Sequence, residues 1–176
     1  FKIDKQIKNY FFDLKNYNKL NNLVNKINPE IIFHLAAKSI ISYSYENPIK
    51  TFNSNVLGTI NLLEVLRKRN KKVILIITSS DKIYKNNNKY KLFKEDDEKG
   101  GDDIYSASKT MMEHAINSYS KTYFKNQNKI KISTARSGNV IGGGDWSNDR
   151  IIPDIMESWN HGKKVILRNP SHIRPW

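Results

Sequence analysis

Cysteine is absent from the 176 residues, so neither a disulfide framework nor a thiolate metal centre can be built. No apolar run approaches the roughly 18 residues of a membrane span, and no membrane partner is expected. The four histidines, His34, His114, His161 and His172, lack metal-site spacing, so no metal is expected. His34 follows apolar neighbours and reads as a packed core histidine. Also missing are RNA-binding, helix-turn-helix and zinc-finger signatures. The opening Phe1-Lys2-Ile3-Asp4-Lys5 has no initiator Met and no signal-peptide pattern, and Ile173-Arg174-Pro175-Trp176 ends as abruptly. The chain therefore reads as an internal fragment.

What is present begins with charge. Thirty Lys and Arg against 17 Asp and Glu give a net charge of +13. Such a balance suits a polyanion partner, but the lysines are scattered among asparagines, as in Asn86-Asn87-Asn88-Lys89. No basic stripe interleaved with aromatics emerges, so no nucleic-acid partner is expected. A basic surface favours an anionic small substrate instead. The length suffices for one domain with a real core.

Along the chain, apolar runs alternate with helical periodicity. Residues 10–13 read as a short strand ending in Asp13, and 16–27 as a helix with Leu20, Leu23, Val24 and Ile27 on one face. Asn28-Pro29 stops that helix. Residues 30–37 read as a strand buried on both faces, and 48–69 as a long helix with Gly58 in its interior. Residues 73–77 and 130–135 are further bare apolar strands. Between them lie a polar loop at 84–103, long enough to be functional, and a helix at 104–123. A helix at 151–160, with Pro153 in its first turn, and a short strand at 164–167 complete the pattern. Alternating strands and helices predict right-handed crossovers and a Rossmann-like, mostly parallel sheet with helices on both faces. Ligands of such sheets bind beyond the carboxyl ends of the strands. That rule gathers Asp13, residues 34–38, 80–82 and 137–144 along one rim, where the helix carrying Tyr105 also begins.

Tyr105-Ser106-Ala107-Ser108-Lys109 is the segment most suggestive of chemistry. Tyr and Lys four apart share a helical face. A phenol near pKa 10 becomes a base at neutral pH only if a cation favours its anion, and lowering it by roughly 3 units takes about 4 kcal/mol. The plain alternative is a solvated lysine over a half-buried tyrosine. The Gly142-Gly143-Gly144 run follows a strand and could be a tight turn, a phosphate cradle or a lid; the helix-opening G-x-G-x-x-G arrangement is absent.

Ser80 precedes Tyr105 by 25 positions, Phe33-His34-Leu35-Ala36-Ala37 ends a strand, and Asn55-Val56-Leu57-Gly58-Thr59 follows in a helix. Together these segments resemble the extended short-chain dehydrogenase/reductase family. Within it, Ser80-Asp81-Lys82, Gly100-Gly101, Gly142-Gly143-Gly144-Asp145-Trp146, Arg150-Ile151-Ile152-Pro153-Asp154 and Ile173-Arg174-Pro175-Trp176 resemble the CDP-glucose 4,6-dehydratases. Relatives acting on dTDP-glucose or GDP-mannose usually carry an acidic pair in place of Asp81-Lys82. Ile104 stands where the pattern has Pro, and Lys38-Ser39 where it has Gln-Pro.

The resemblance implies NAD as cofactor and a nucleotide sugar, CDP-glucose favoured, as substrate of a cytoplasmic lyase in deoxysugar metabolism. It implies a partial NAD-binding domain at 1–136, lacking the first strands and glycine turn, and the start of a small nucleotide-sugar domain at 137–176. By the same implication Tyr105 is the base for the C4 hydroxyl, Lys109 its electrostatic partner and ribose contact, and Ser80 the group that orients the C4 oxygen. Asp81 and Lys82 divide the proton transfers of elimination. Asp13 and Leu14 would lie beside the adenine, Ala36, Ala37 and Lys38 beside the pyrophosphate and ribose, and Asn55 would steady the site. Asn139 and Arg174 would meet the diphosphate, with Arg150 and Arg168 as further candidates. A homodimer is expected through helices 48–69 and 104–123. The chain alone is expected to be inactive and to bind NAD poorly without the phosphate turn. Other readings are an epimerase, a dehydratase on another nucleotide, or a non-catalytic dimerisation module.

Overall fold

The computed structural model describes residues 6–87, 91–167 and 169–173. Helix α1, Tyr17–Ile27, starts where the Asn16 side chain accepts the Lys19 N–H at 3.0 Å, and buries Leu20 and Val24. It ends at Asn28, whose left-handed backbone (φ 49°) returns an N–H to the Val24 carbonyl. Strand β1, Ile31–His34, follows directly. Next comes a helix that the periodicity did not reveal, α2, Ile41–Glu46, a single short turn-and-a-half around buried Ser44. The expected long helix is α3, Pro48–Phe52, and α4, Gly58–Arg67, joined without a break by a π-helical stretch, Asn53–Leu57. The extra residue of a π turn rotates Asn55 inward, where it is fully buried. A Cβ on Gly58 would stand 3.3 Å from the Leu14 Cβ, so α4 meets the 13–15 turn closely there. Asn61 Nδ2 fastens that turn by donating to the Leu14 and Lys15 carbonyls at 2.9 and 3.1 Å.

Strands β2, Val73–Ser80, and β3, Ile130–Ser137, pair in parallel, and the sheet order is β1-β2-β3. In register, Ile32 faces Leu75, and Val73 faces Ile130. One core forms on one face: Leu75, Ile77 and Ile130 pack against Leu20 and Val24 of α1, Leu62, Leu63 and Leu66 of α4, and Met112, Ile116 and Phe124. Each such side chain contributes about 1.5–3 kcal/mol by leaving water. The alternate residues of the strands behave differently. Ile31 is 53% and Phe33 64% exposed, because among the described residues no layer lies over that side. Residues 30–37, expected to be buried on both faces, are thus buried on one.

Two expected strands do not form. Residues 10–13 and 164–167 have no ladder partner among the described residues, and a strand without a partner leaves its backbone to water. The 10–13 stretch leads instead into a turn in which Asp13 Oδ1 accepts the Lys15 N–H at 2.9 Å.

The long loop after β2 is a closed excursion. Tyr84 bridges antiparallel to Lys99 and stacks on Phe93 at 4.7 Å, while the Gly100 N–H reaches the Ile83 carbonyl at 2.8 Å. It delivers the chain to α5, Ile104–Tyr119, which runs on through a π turn, Ser120–Phe124. Asp103 caps α5: its Oδ1 accepts the Ser106 N–H at 2.9 Å and its Oδ2 the Ser106 hydroxyl at 2.6 Å. Helix α6, Ile151–Asn160, buries none of its residues.

Candidate active site at the carboxyl ends of the strands

The parallel strands all point their carboxyl ends at one rim. Ser80 is the last residue of β2 and opens a 3-10 turn, Asp81–Ile83. Its hydroxyl accepts the Lys82 N–H at 3.2 Å and donates to Asp81 Oδ1 at 3.1 Å. Tyr105 occupies the first turn of α5, buried against that strand end, and Lys109 follows one turn later with 3% exposure. The Lys109 ammonium donates to the Thr78 carbonyl at 3.1 Å. Asp81 is half-buried beside a cavity of about 380 Å³ bounded by Tyr84, Phe93 and Arg136. Lys82 is exposed on the same turn.

Electrostatics at this rim differ from the simplest sequence expectation. Burial pushes the Tyr105 phenol above its ordinary value; the Ser80 hydroxyl and the Arg150 charge pull it down, while Asp81 and Asp103 push it up. Desolvation therefore outweighs the Ser80 hydrogen bond and the Arg150 charge. Burial also moves Lys109 down to about 8, with Glu113 opposing that shift. His34 falls to about 4, through burial first and the Lys109 charge second. Its Nε2 lies 2.8 Å from Thr59 Oγ1, whose one proton goes to the Asn55 carbonyl. Nε2 therefore carries the proton, and the ring is a neutral, satisfied core group as expected.

The loop after β1 holds the residues expected near a cofactor. Ala36 and Lys38 are exposed and Ala37 half-buried. Asn55 clamps this loop: Oδ1 accepts the Lys38 N–H at 2.7 Å, and Nδ2 donates to the Lys38 carbonyl at 3.1 Å and to Ser108 Oγ at 2.9 Å. Ser108 in turn donates to the Tyr105 carbonyl. Asn55 thus joins the β1 loop to the helix bearing Tyr105. Asp13 and Leu14 lie at the turn tied to α4. The donor set suits a dinucleotide: two alanines leave backbone approachable, and Lys109 spends one of three N–H groups on Thr78.

Among the substrate candidates, Asn139 is half-buried just past β3. Arg150 reaches back to Ser39, with Nη2 to Oγ at 3.0 Å, and Ser42 donates to Asp149 at 2.7 Å. The 138–150 segment is thereby drawn to the loop after β1. Arg168 and Arg174 lie outside the described residues. Of the three glycines at 142–144, only Gly144, at φ +86°, needs its lack of a side chain; a Cβ on Gly142 or Gly143 would meet nothing within 4 Å.

Three residues of the site were missed in the sequence: Asp103, Glu113 and Arg136. Asp103 had a local signal, an Asp three before Ser106 at a helix start. Glu113 could have been noticed as the next inward position after Lys109. Nothing local marks Arg136, whose partners lie on other elements.

A parallel α/β sheet with Ser80, Tyr105 and Lys109 gathered at its carboxyl edge defines a domain of the extended short-chain dehydrogenase/reductase type. More narrowly, the chain belongs to the GDP-mannose 4,6 dehydratase family, whose profile matches residues 1–176. It is 39% identical to the CDP-glucose 4,6-dehydratase of Salmonella typhimurium, over 99% of this chain and 50% of that protein. A UDP-glucose 4-epimerase of Mycoplasma genitalium is 42% identical over a shorter stretch, 35% of this chain and 18% of the relative. The chain thus spans half the length, or less, of these relatives.

Among solved structures, UDP-glucose 4-epimerase of Thermotoga maritima superposes with a TM-score of 0.82 at 22% identity, covering 94% of this chain and 53% of its own. The NAD complex of dTDP-glucose 4,6-dehydratase from Bacillus anthracis gives 0.75 at 25% identity, covering 93% and 48%. These likenesses match the Rossmann-like fold described above.

Proposed function

We propose that this chain serves an NAD-dependent nucleotide-sugar 4,6-dehydratase acting on CDP-glucose. The observation that carries the reading is the meeting of Ser80, Asp81, Tyr105 and Lys109 at one strand edge, in a chain 39% identical throughout to a CDP-glucose 4,6-dehydratase. Residues 1–136 would form the cofactor side and 137–176 the nucleotide-sugar side. NAD would supply the hydride acceptor for oxidation at C4, the same hydride later returning to C6, and a positive nicotinamide beside the phenol. Ala36, Ala37, Lys38, Asn55 and Lys109 would hold it, with Asp13 and Leu14 toward the adenine.

Tyr105 takes the C4 hydroxyl proton, and Ser80 fixes the oxygen by a hydrogen bond. A C4 ketone acidifies the C5 proton, so elimination follows oxidation. Asp81 and Lys82 divide the two proton transfers of elimination, one taking the proton lost from C5 and the other giving a proton to the C6 hydroxyl as it leaves as water. Asn139 and Arg150, with Arg168 and Arg174, would meet the diphosphate. A homodimer would use the outer faces of α3–α4 and α5, where Ile49, Leu57 and Met111 are exposed.

Mass spectrometry of CDP-glucose incubated with the full-length protein and NAD tests the reading. Loss of one water with a keto-sugar product is expected. A product of unchanged mass would make it an epimerase, and no conversion of any nucleotide sugar would leave a non-catalytic assembly module.

A further inference from the structure

Glu113 takes no part in that chemistry, yet it is built into the layer just beneath it. It is 6% exposed and sits one helical turn after Lys109 on the inner side of α5. Its carboxylate accepts from Arg136 Nε at 2.9 Å and Nη2 at 2.7 Å, with Lys99 Nζ 3.4 Å away. Arg136 also donates through Nη1 to the Tyr84 hydroxyl at 2.7 Å and the Glu95 carbonyl at 3.1 Å. One carboxylate therefore ties β3 and the 84–103 loop to α5. Lys109, 3% exposed, makes no ion pair of its own among the described residues. An ammonium that deep needs a nearby anion to stay charged.

We propose that Glu113 is a positioning residue for the Tyr105–Lys109 pair: it is the buried counter-charge one turn below Lys109, and through Arg136 it fixes the loop joining Asp81 to Tyr105. The role assigned to Lys109 rests on the dehydratase reading; the counter-charge does not. Lys109 faces Glu113 on its own helix, neutral His34 from β1 and the Thr78 carbonyl from β2, with Tyr105 one turn before it on α5. Glu113 faces Arg136 from β3, the Ser79 hydroxyl from β2 and Lys99 from the loop. Burial pushes Glu113 up, but Arg136 and Lys99 hold it below the usual carboxylate range, so its charge is available to Lys109 at neutral pH.

The test is the titration of Lys109 in the full-length protein, read by carbon NMR of labelled lysine side chains and assigned by its loss in Lys109→Arg. In Glu113→Gln the Lys109 midpoint is expected to fall by about one unit, as loss of a close opposite charge requires. If the single variant does not fold, Glu113→Gln with Arg136→Met removes both buried charges together and is expected to shift Lys109 in the same direction. A Lys109 midpoint unchanged in either folded variant overturns the inference. Because the signal needs no turnover, absence of dehydratase activity in the wild type would defeat the function proposed above and leave this result to stand or fall by itself.

Discussion

Tyr105 is packed against a strand end without the charge balance that would make its phenol a base. Its phenol meets Ser80 at the strand end, but burial raises its pKa, so the Ser80 hydroxyl and the Arg150 charge alone do not make it a base. The positive nicotinamide of a bound dinucleotide is the further charge that the proposed mechanism needs. Tyr105→Phe in the full-length protein is expected to cut turnover by about 10²–10⁴-fold with an unchanged circular dichroism spectrum. A rate near wild type in steady-state assays would remove Tyr105 from the chemistry. Gly101 is a residue-scale constraint of another kind. A Cβ there would stand 2.5 Å from the Ser106 Cβ and 2.6 Å from the Ser106 backbone carbon. Gly101→Ala must therefore push the loop off the start of α5, at about 1–3 kcal/mol, which urea denaturation would report as a lower midpoint.

At the scale of elements, the π turn between α3 and α4 is what brings Asn55 into contact with two other segments. Its carboxamide satisfies both backbone groups of Lys38 and the Ser108 hydroxyl, so helix and β1 loop share one joint. Asn55→Ala leaves those partners unsatisfied and is expected to cost about 1–3 kcal/mol in urea unfolding. Calorimetry on the full-length protein should show NAD affinity falling as well, since the loop from Ala36 to Lys38 loses its anchor. Helix α5 depends similarly on its cap. Asp103→Ala removes the acceptor for both Ser106 groups and should lower stability by about 1 kcal/mol.

For the whole molecule, buried charge sets the response to pH. His34 titrates at about 4 folded against an ordinary 6.5, so the unfolded chain binds the proton more readily. Its contribution is fully present above pH 6.5 and is lost as pH falls toward 4. The difference amounts to about 3 kcal/mol. Glu113, held below the usual carboxylate range, has the same sign and adds its loss at lower pH. Urea midpoints measured from pH 7.5 to 4.5 should fall steeply, and His34→Gln should flatten the upper part of that slope. An unchanged slope in the variant would show that His34 is not the group responsible.

What the sequence determined by itself was carried by short-range spacing. The turn of helix between Tyr105 and Lys109, the stop at Asn28-Pro29, the apolar runs of β2 and β3 and the 25-residue step from Ser80 to Tyr105 all repeat in the structure. Strand pairing and charge pairing were decided only in three dimensions. Residues 10–13 have strand chemistry but no ladder partner, Glu113 finds Arg136 across 23 positions, and Asn55 finds Ser108 across 53. Local propensity acts through neighbours in the chain, whereas desolvation and ion pairing act through neighbours in space. That is why the helical spacing of Tyr105 and Lys109 was legible in the sequence, and only the packed structure revealed that burial raises the Tyr105 pKa and which carboxylate lies one turn beyond Lys109.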